Sequence, residues 1–146
     1  MSLNTDGILA PVYTVQPTDR VLVAHLVVPG EPYSKGRPRV TKNGTYTPAN
    51  TRQQTAKIRT AFKALDLPEY DKEGTFRLDA HFYLGTRRHV DGDNLLKLVK
   101  DALNVIAYDD DHRVYDSRVK KWHTSKERAR TELFLYTIPK DREEAA

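Results

Sequence analysis

Two short groups of aspartates are the residues in this sequence best suited to chemistry. Asp91 and Asp93 flank Gly92, and a run of three aspartates follows at 109–111. Carboxylate oxygens are the ligands that Mg²⁺ prefers, and a glycine between two aspartates lets both side chains turn toward one point. The first pair therefore predicts half of a magnesium site, although capping of a helix by Asp91 or Asp93 explains it equally well.

The run made of Asp109, Asp110 and Asp111 has two interpretations. Three adjacent like charges repel one another, and a bound cation relieves that repulsion. A solvated acidic turn is the simpler alternative for the run taken alone. Together with Asp91 and Asp93, the run could complete a carboxylate cage. His112, which follows directly, could act as a ligand or a base, or be an ordinary exposed histidine.

Lys97 and Asp101 follow Asp93 at intervals of one helical turn. Lys97 could hold a phosphate or balance charge while a phosphodiester bond breaks, or it could only form an ion pair along the helix. Asp101 fits an extended site and a solvated helix face equally well. A metal held by carboxylates can hydrolyse a phosphodiester without a nucleophilic side chain. The sequence also has no cysteine, no G-x-S-x-G elbow and no phosphate-binding P-loop.

Basic residues surround the acidic groups along the sequence. No acidic residue lies between Glu31 and Asp66, and a second basic group spans 113–130. Such a pattern predicts a surface for a polyanion around a cation-binding centre. The basic residues of the first stretch are Lys35, Arg37, Arg39, Lys42, Arg52, Lys57, Arg59 and Lys63.

Hydrophobic periodicity predicts a single α/β domain with a small mixed sheet. We expect strands at 21–28, 76–84, 114–122 and 132–138, and helices at 52–65 and 93–106. The stretch 30–48 has the composition of a loop, 1–19 that of a flexible arm, and 140–146 that of a charged tail. Residues 1–7 are not typical of a signal peptide, and no apolar run is long enough for a bilayer. We therefore expect a cytoplasmic protein that does not contact membranes.

Three linked motifs resemble one known family. The sequence reads D-G-D-N-L-L-K at 91–97, D-A-L-N at 101–104 and D-D-H-R-V at 110–114. This is similar to the D-x-D-N-L-x-K, D-A-L-N and D-D-x-x-V signature of the RusA-type Holliday junction resolvases. The opening P-G at 29–30, S-K-G-R-P-R at 34–39 and Y-T-P at 46–48 resemble that family as well. The resemblance places a RusA-like nuclease domain at 20–139.

The resemblance implies a homodimeric, Mg²⁺-dependent endonuclease that cuts four-way junction DNA symmetrically, with Mn²⁺ as a possible substitute. Such enzymes act in DNA recombination and repair, usually from a phage or prophage, so the host would be a bacterial or phage-infected cell. By position, the catalytic residues are Asp91, Asp93, Lys97 and Asp111, and Asp110 is a further metal-ligand candidate. Asp109 makes the acidic run one residue longer than the signature, which leaves the choice among its three members open. Val105 stands where a glycine is frequent.

With DNA as the partner, the loop at 30–48, called the basic loop below, and the first predicted helix gain a role. Lys35, Arg37, Arg39, Arg52, Arg59 and Lys63 are expected to contact phosphates, which positions DNA without reading its sequence. Tyr33 and Tyr46 could stack on unpaired bases or simply pack a loop, and Trp122 is expected in the core or at a dimer contact. Two competing functions remain open. A non-catalytic nucleic-acid-binding module would bind DNA without cutting, and a small phosphohydrolase would cleave a chromogenic phosphate ester.

Overall fold

A computed structural model describes residues 20–35, 39–42, 44–46 and 48–138. The predicted arm at 1–19, the predicted tail at 140–146 and Arg37 lie outside these ranges. In chain order the elements are β1 (Val21–Pro29), β2 (Arg39–Thr41), β3 (Gly44–Tyr46), α1 (Ala49–Lys63), β4 (Thr75–Leu84), α2 (Gly92–Leu103), β5 (Val114–His123) and β6 (Arg130–Ile138), with short 3-10 turns at Asp111–Arg113 and Lys126–Arg128. No helix within these ranges is both long and apolar enough to cross a bilayer.

Four strands form one mixed sheet in the order β1-β6-β4-β5. β6 pairs antiparallel with β1 and with β4, whereas β4 and β5 run parallel. The predicted α/β class with a small mixed sheet is therefore confirmed. β2 and β3 form a separate two-stranded hairpin inside the stretch predicted to be a loop.

The core lies between one face of this sheet and the two helices. β4 alternates as its sequence predicts, with Phe76, Leu78, Ala80 and Phe82 buried and the residues that alternate with them only partly covered. Ile58 of α1 and Leu95 of α2 are fully buried against the same cluster. This packing fixes both helices on the sheet, so the ends of α2 hold defined positions relative to the strands.

The predicted end of the second helix near residue 106 was wrong, because α2 ends at Leu103. Val105 has a φ of 74°, a left-handed conformation that a β-branched residue adopts only at a cost in free energy. The Arg59 guanidinium holds the end of the helix, since its Nη1 donates to the carbonyl oxygens of Ala102 and Asn104 at 2.9 and 3.4 Å. The departure noted in the sequence at Val105 thus marks the turn that ends the helix.

The connection from β4 through α2 to β5 sets the geometry of the candidate site. Parallel strands joined by a helix require the helix to run back along the sheet. The first turn of α2 therefore lies at the carboxyl ends of β4 and β5, and its last turn lies at their amino ends. A helix of this length spans about 18 Å.

Candidate functional site

The first turn of α2 carries the first pair of predicted aspartates. Asp91 is the N-cap residue, and its Oδ1 accepts a hydrogen bond of 2.9 Å from the backbone N–H of Asp93. The capping interpretation is therefore correct for Asp91. Both side chains are exposed, and capping uses only the backbone of Asp93. Each carboxylate thus still has an oxygen available to a ligand.

Gly92, between them, lies where α2 approaches β5 closely. A Cβ atom at this position would lie 3.2 Å from Cγ1 of Val119. Lys121, two residues further along β5, donates from Nζ to the carbonyl oxygen of Val90 at 2.7 Å. The start of the helix is thereby fixed to the carboxyl end of β5.

An open cavity of about 460 Å³ adjoins Asp91 and is lined mainly by basic side chains. Lys121 and Arg88 carry positive charge there, and two histidines accompany them. Phosphate oxygens of a nucleic acid would find donors beside the carboxylates of the first helical turn. The full lining is Leu84, Arg88, His89, Val90, Asp91, Lys121 and His123.

Glu31 holds one wall of this cavity, and the sequence analysis missed it. Its Oε1 accepts from the backbone N–H of Gly85 at 2.9 Å, and its Oε2 accepts from the guanidinium of Arg88 at 3.2 Å. Arg88 also donates to the carbonyl oxygen of Pro32 and lies 5.2 Å from the ring centre of Tyr33. Tyr33 therefore packs against the Arg88 guanidinium. No local pattern reveals the role of Glu31, because its partners are more than 50 residues away.

Lys35 brings the basic loop onto α2. Its backbone N–H donates to the carbonyl oxygen of Asn94 at 3.3 Å, and its Nζ lies 2.6 Å from Oδ2 of Asp101. The carboxylate of Asp101 is thus already paired with a lysine. Lys97 is exposed on the same helix between Asn94 and Asp101.

The acidic run lies at the other end of α2. The backbone N–H of Asp109 donates to the carbonyl oxygen of Lys72, just before β4 begins. The Asp109 carboxylate is paired with Arg113 at 2.9 and 3.1 Å. Hydrogen bonds from Arg113 hold the pKa of Asp109 below its usual value. This aspartate therefore stabilises the turn that leads into β5.

Asp110 and Asp111 differ within the same run. Asp110 accepts from the backbone N–H of Asp111 at 2.8 Å and lies 3.0 Å from Nδ1 of His112. The hydrogen bond with His112, followed by that from Asp111, lowers the pKa of Asp110. No hydrogen bond or ion pair of the Asp111 carboxylate was found among the described parts of the chain. Asp111 is therefore the member of the run most available to a ligand.

Tyr108, the residue just before the acidic run, is fully buried. Its hydroxyl donates to the carbonyl oxygen of Lys100 at 3.0 Å, and burial raises its pKa, with smaller contributions from the charges of Asp111 and Asp101. Tyr108 therefore anchors the segment that carries the acidic run, and its phenol stays neutral at physiological pH.

The predicted carboxylate cage is not assembled within one chain. Asp91 and Asp93 lie at the start of α2, whereas Asp111 follows its end, roughly the 18 Å length of the helix away. In the ranges that the structure describes, no group of three or more carboxylates and histidines could hold a metal ion. Oxygens that share one Mg²⁺ must each lie about 2.1 Å from it. Asp91, Asp93 and Asp111 of a single chain therefore do not fit one ion together.

The predicted DNA-binding residues differ in their exposure and in their contacts. Arg52 and Lys63 are exposed on α1, while Arg59 is partly buried and bound to the end of α2. Arg39 belongs to β2. Trp122, expected in the core or at a dimer contact, is exposed at the sheet edge and stacks on Tyr83.

Comparison with known proteins supplies the family. Among proteins of curated function, none matches the chain significantly. The family model described as Endodeoxyribonuclease RusA matches residues 29–136. This range contains both groups of aspartates, Lys97 and the basic loop, and it covers most of the 146 residues. The chain therefore belongs to the RusA endodeoxyribonuclease family.

Proposed function

We propose that this protein is a Mg²⁺-dependent endodeoxyribonuclease that resolves Holliday junctions by paired symmetric nicks. The observation that carries the proposal is the family match over 29–136, which includes the whole D-G-D-N-L-L-K motif. In the structure this motif forms the first turns of α2, beside a cavity lined by basic side chains. An endonuclease needs acidic residues and phosphate-binding residues in such proximity.

Each residue of the helix start has a proposed role. Asp91 and Asp93 contribute to binding Mg²⁺, for which Mn²⁺ could substitute. Lys97, exposed on α2, stabilises the negative charge that grows on the scissile phosphate. Arg88 and Lys121 hold neighbouring phosphates of the same strand, since both line the cavity next to Asp91.

The basic loop and α1 extend the proposed DNA surface. Lys35 is fixed to α2 through Asn94 and Asp101, so a strand bound at the start of α2 passes close to it. Contacts of this kind position the junction and make binding depend on salt. The proposed setting is recombination and repair of DNA in the cytoplasm of a bacterial or phage-infected cell. Lys35, Arg37, Arg39, Arg52 and Lys63 would make these contacts.

The proposal is tested by incubating the protein with a synthetic four-way junction and with a linear duplex of the same sequence, in Mg²⁺ or in EDTA. We expect cuts in the junction alone, and none in EDTA or with Asp93→Asn. Asp66→Asn is the matched control, because Asp66 is exposed in the connector between α1 and β4. It should cut like the wild type.

The competing functions give different results in the same assay. Binding of the junction without cuts, in Mg²⁺ and in Mn²⁺, would make the chain a binding module. Turnover of a chromogenic phosphate ester with no cut in DNA would make it a small phosphohydrolase. Cleavage of junction and duplex at equal rates would leave a nuclease without junction specificity.

A further inference from the structure

Glu31, at the start of the basic loop, accepts hydrogen bonds from three residues of the segment that joins β4 to α2. Its Oε1 lies 2.9 Å from the backbone nitrogen of Gly85. Its Oε2 accepts from the hydroxyl of Thr86 at 3.1 Å, and from Nε and Nη2 of Arg88 at 3.3 and 3.2 Å. Only 16% of the Glu31 side chain is exposed. Both carboxylate oxygens are therefore used to hold this segment in one conformation.

The fold sets the distance between Glu31 and this segment. A Cβ atom at Gly85 would lie 2.9 Å from Cα of Lys126 and 3.1 Å from Cβ of Ala129, so the chain passes close to the turn before β6. The backbone nitrogen of Gly30 donates to the carbonyl oxygen of Ala129 at 2.9 Å. Glu31 and Gly85 are thus fixed against the same turn, and neither can move away from the other alone.

The guanidinium of Arg88 is held along one side. A guanidinium has five N–H donors, one on Nε and two on each terminal nitrogen. Nε and Nη2 donate to Glu31, and Nη2 also donates to the carbonyl oxygen of Pro32. Within the described parts of the chain, Nη1 has no hydrogen-bond partner. The donors of Nη1 are therefore available to a ligand in the cavity that Arg88 and Asp91 line together.

We infer that Glu31 is a positioning residue, which fixes the guanidinium of Arg88 so that Nη1 binds a phosphate of the strand beside Asp91. The inference rests on the proposed nuclease function and adds what holds its phosphate-binding side chain in place. Glu31 acts only through Arg88 and does not contact the DNA. Its effect on the rate follows from geometry, because a displacement of about 1 Å at a reacting group can slow a reaction about 100-fold.

The negative charge of Glu31 opposes DNA binding at the same time. A carboxylate close to a phosphate-binding surface repels the DNA backbone. Removal of this charge should therefore leave junction binding as tight as before or tighter, while cutting becomes slower. A residue needed only for folding would weaken binding and cutting together. Opposite effects on the two quantities thus distinguish a positioning role from a structural one.

Glu31→Gln tests the inference, because glutamine keeps a carbonyl oxygen for the N–H of Gly85 but loses the charge that pairs with Arg88. We expect single-turnover cutting of a four-way junction in Mg²⁺ to fall about 10- to 100-fold, with an equal or lower Kd for the junction in EDTA. Glu69→Gln is the matched control, since Glu69 is exposed in the connector before β4. A wild-type rate for Glu31→Gln, or a Kd that rises as much as the rate falls, would overturn the inference.

A double substitution shows whether Glu31 acts through Arg88. Arg88→Ala should slow cutting at least as much as Glu31→Gln does, and adding Glu31→Gln to it should change the rate by less than about twofold. A further fall as large as that of Glu31→Gln alone would make the two residues independent and overturn the inference. Glu31→Asp, which keeps the charge on a shorter side chain, is the second variant if Glu31→Gln does not fold. It should cut faster than Arg88→Ala, and an equal rate would also overturn the inference.

A spectroscopic readout separates the inference from the proposed function, because it needs neither DNA nor metal. The Nε–H of Arg88 gives its own ¹H–¹⁵N NMR signal, assigned by its absence from Arg88→Ala. We expect this proton to exchange slowly with water in the wild type, where Glu31 holds it, and rapidly in Glu31→Gln. Rapid exchange in the wild type would overturn the inference even if the protein cuts junctions. Slow exchange that Glu31→Gln abolishes, in a protein that cuts no junction, would retain the positioning role of Glu31 and reject the nuclease.

Discussion

Neighbouring carboxylates of one acidic run have different surroundings in this protein. Asp109 is held by Arg113 and Asp110 by the backbone of Asp111 and the ring of His112, whereas the Asp111 carboxylate has no such partner among the described residues. Position in the sequence does not distinguish them. Their contacts do, and those contacts predict different effects of the same substitution.

Replacing each aspartate of this run by asparagine tests that distinction. Asp111→Asn should lower junction cleavage by more than about 100-fold, because it removes a proposed metal ligand. Asp109→Asn should cut at close to the wild-type rate, because it only weakens the pair with Arg113. Initial rates on one junction substrate measure both, and similar losses from the two variants would contradict the assignment.

The residue types of the site could be predicted from the sequence, but their neighbours could not. Asp91, Asp93 and Lys97 were predicted from their spacing together with the resemblance to the family. Glu31 and Lys121 do not, because their partners come from distant segments that only the fold brings together. The expected cage is not assembled within one chain for the same reason. Spacing along the chain does not reveal that α2 separates its two halves.

Arg59 has a structural role at the scale of elements, in addition to its predicted contact with DNA. It joins α1 to the last carbonyl groups of α2, which a helix leaves without partners. Arg59→Ala should therefore lower the free energy of unfolding by about 1–3 kcal/mol in the absence of DNA. Urea unfolding followed by circular dichroism measures this. Lys63→Ala, on the exposed side of the same helix, is the control and should change stability little; an equal effect of the two variants would contradict the role.

Glu132 of β6 gives the sheet a dependence on pH. Arg130 donates to it at 2.6 Å, and this hydrogen bond, aided more weakly by His25, lowers the pKa of the Glu132 carboxyl. A lowered pKa stabilises the fold above the carboxyl's usual value, and this contribution is lost as pH falls through the lowered value.

Unfolding of Glu132→Gln in urea at two pH values tests this linkage. Near neutral pH the variant should be less stable than the wild type by up to about 1 kcal/mol. At an acidic pH below the lowered pKa, where the carboxyl of the wild type is protonated, the difference should vanish. A difference of the same size at both pH values would show that Glu132 acts through packing instead of charge.

Elements themselves were largely predictable, and their ends were less so. Alternating apolar residues predicted β4, because one face of the strand packs on the core. The helical stripe predicted α2 but extended it to Ile106, which packs against the core from the turn that follows. Val105, with its positive φ, ends the helix there, and a propensity argument has no reason to expect that of valine.

For the whole molecule, the α/β class and the family follow from the sequence, whereas the arrangement of the site follows from topology. A helix between two parallel strands must separate the residues before it from those after it. Resolution of a junction requires two cuts, so paired cutting is the central claim of the proposed function.

A supercoiled plasmid that extrudes a cruciform measures paired cutting most directly. The cruciform base is a four-way junction, and it is reabsorbed once a single nick releases the supercoiling. Two nicks made within one encounter convert the plasmid straight to the linear form, whereas independent nicks yield nicked circles. We predict linear product in Mg²⁺ from the first time point, and none from a plasmid without the inverted repeat or from Asp93→Asn. Nicked circles as the main product, or equal cutting of both plasmids, would contradict the account.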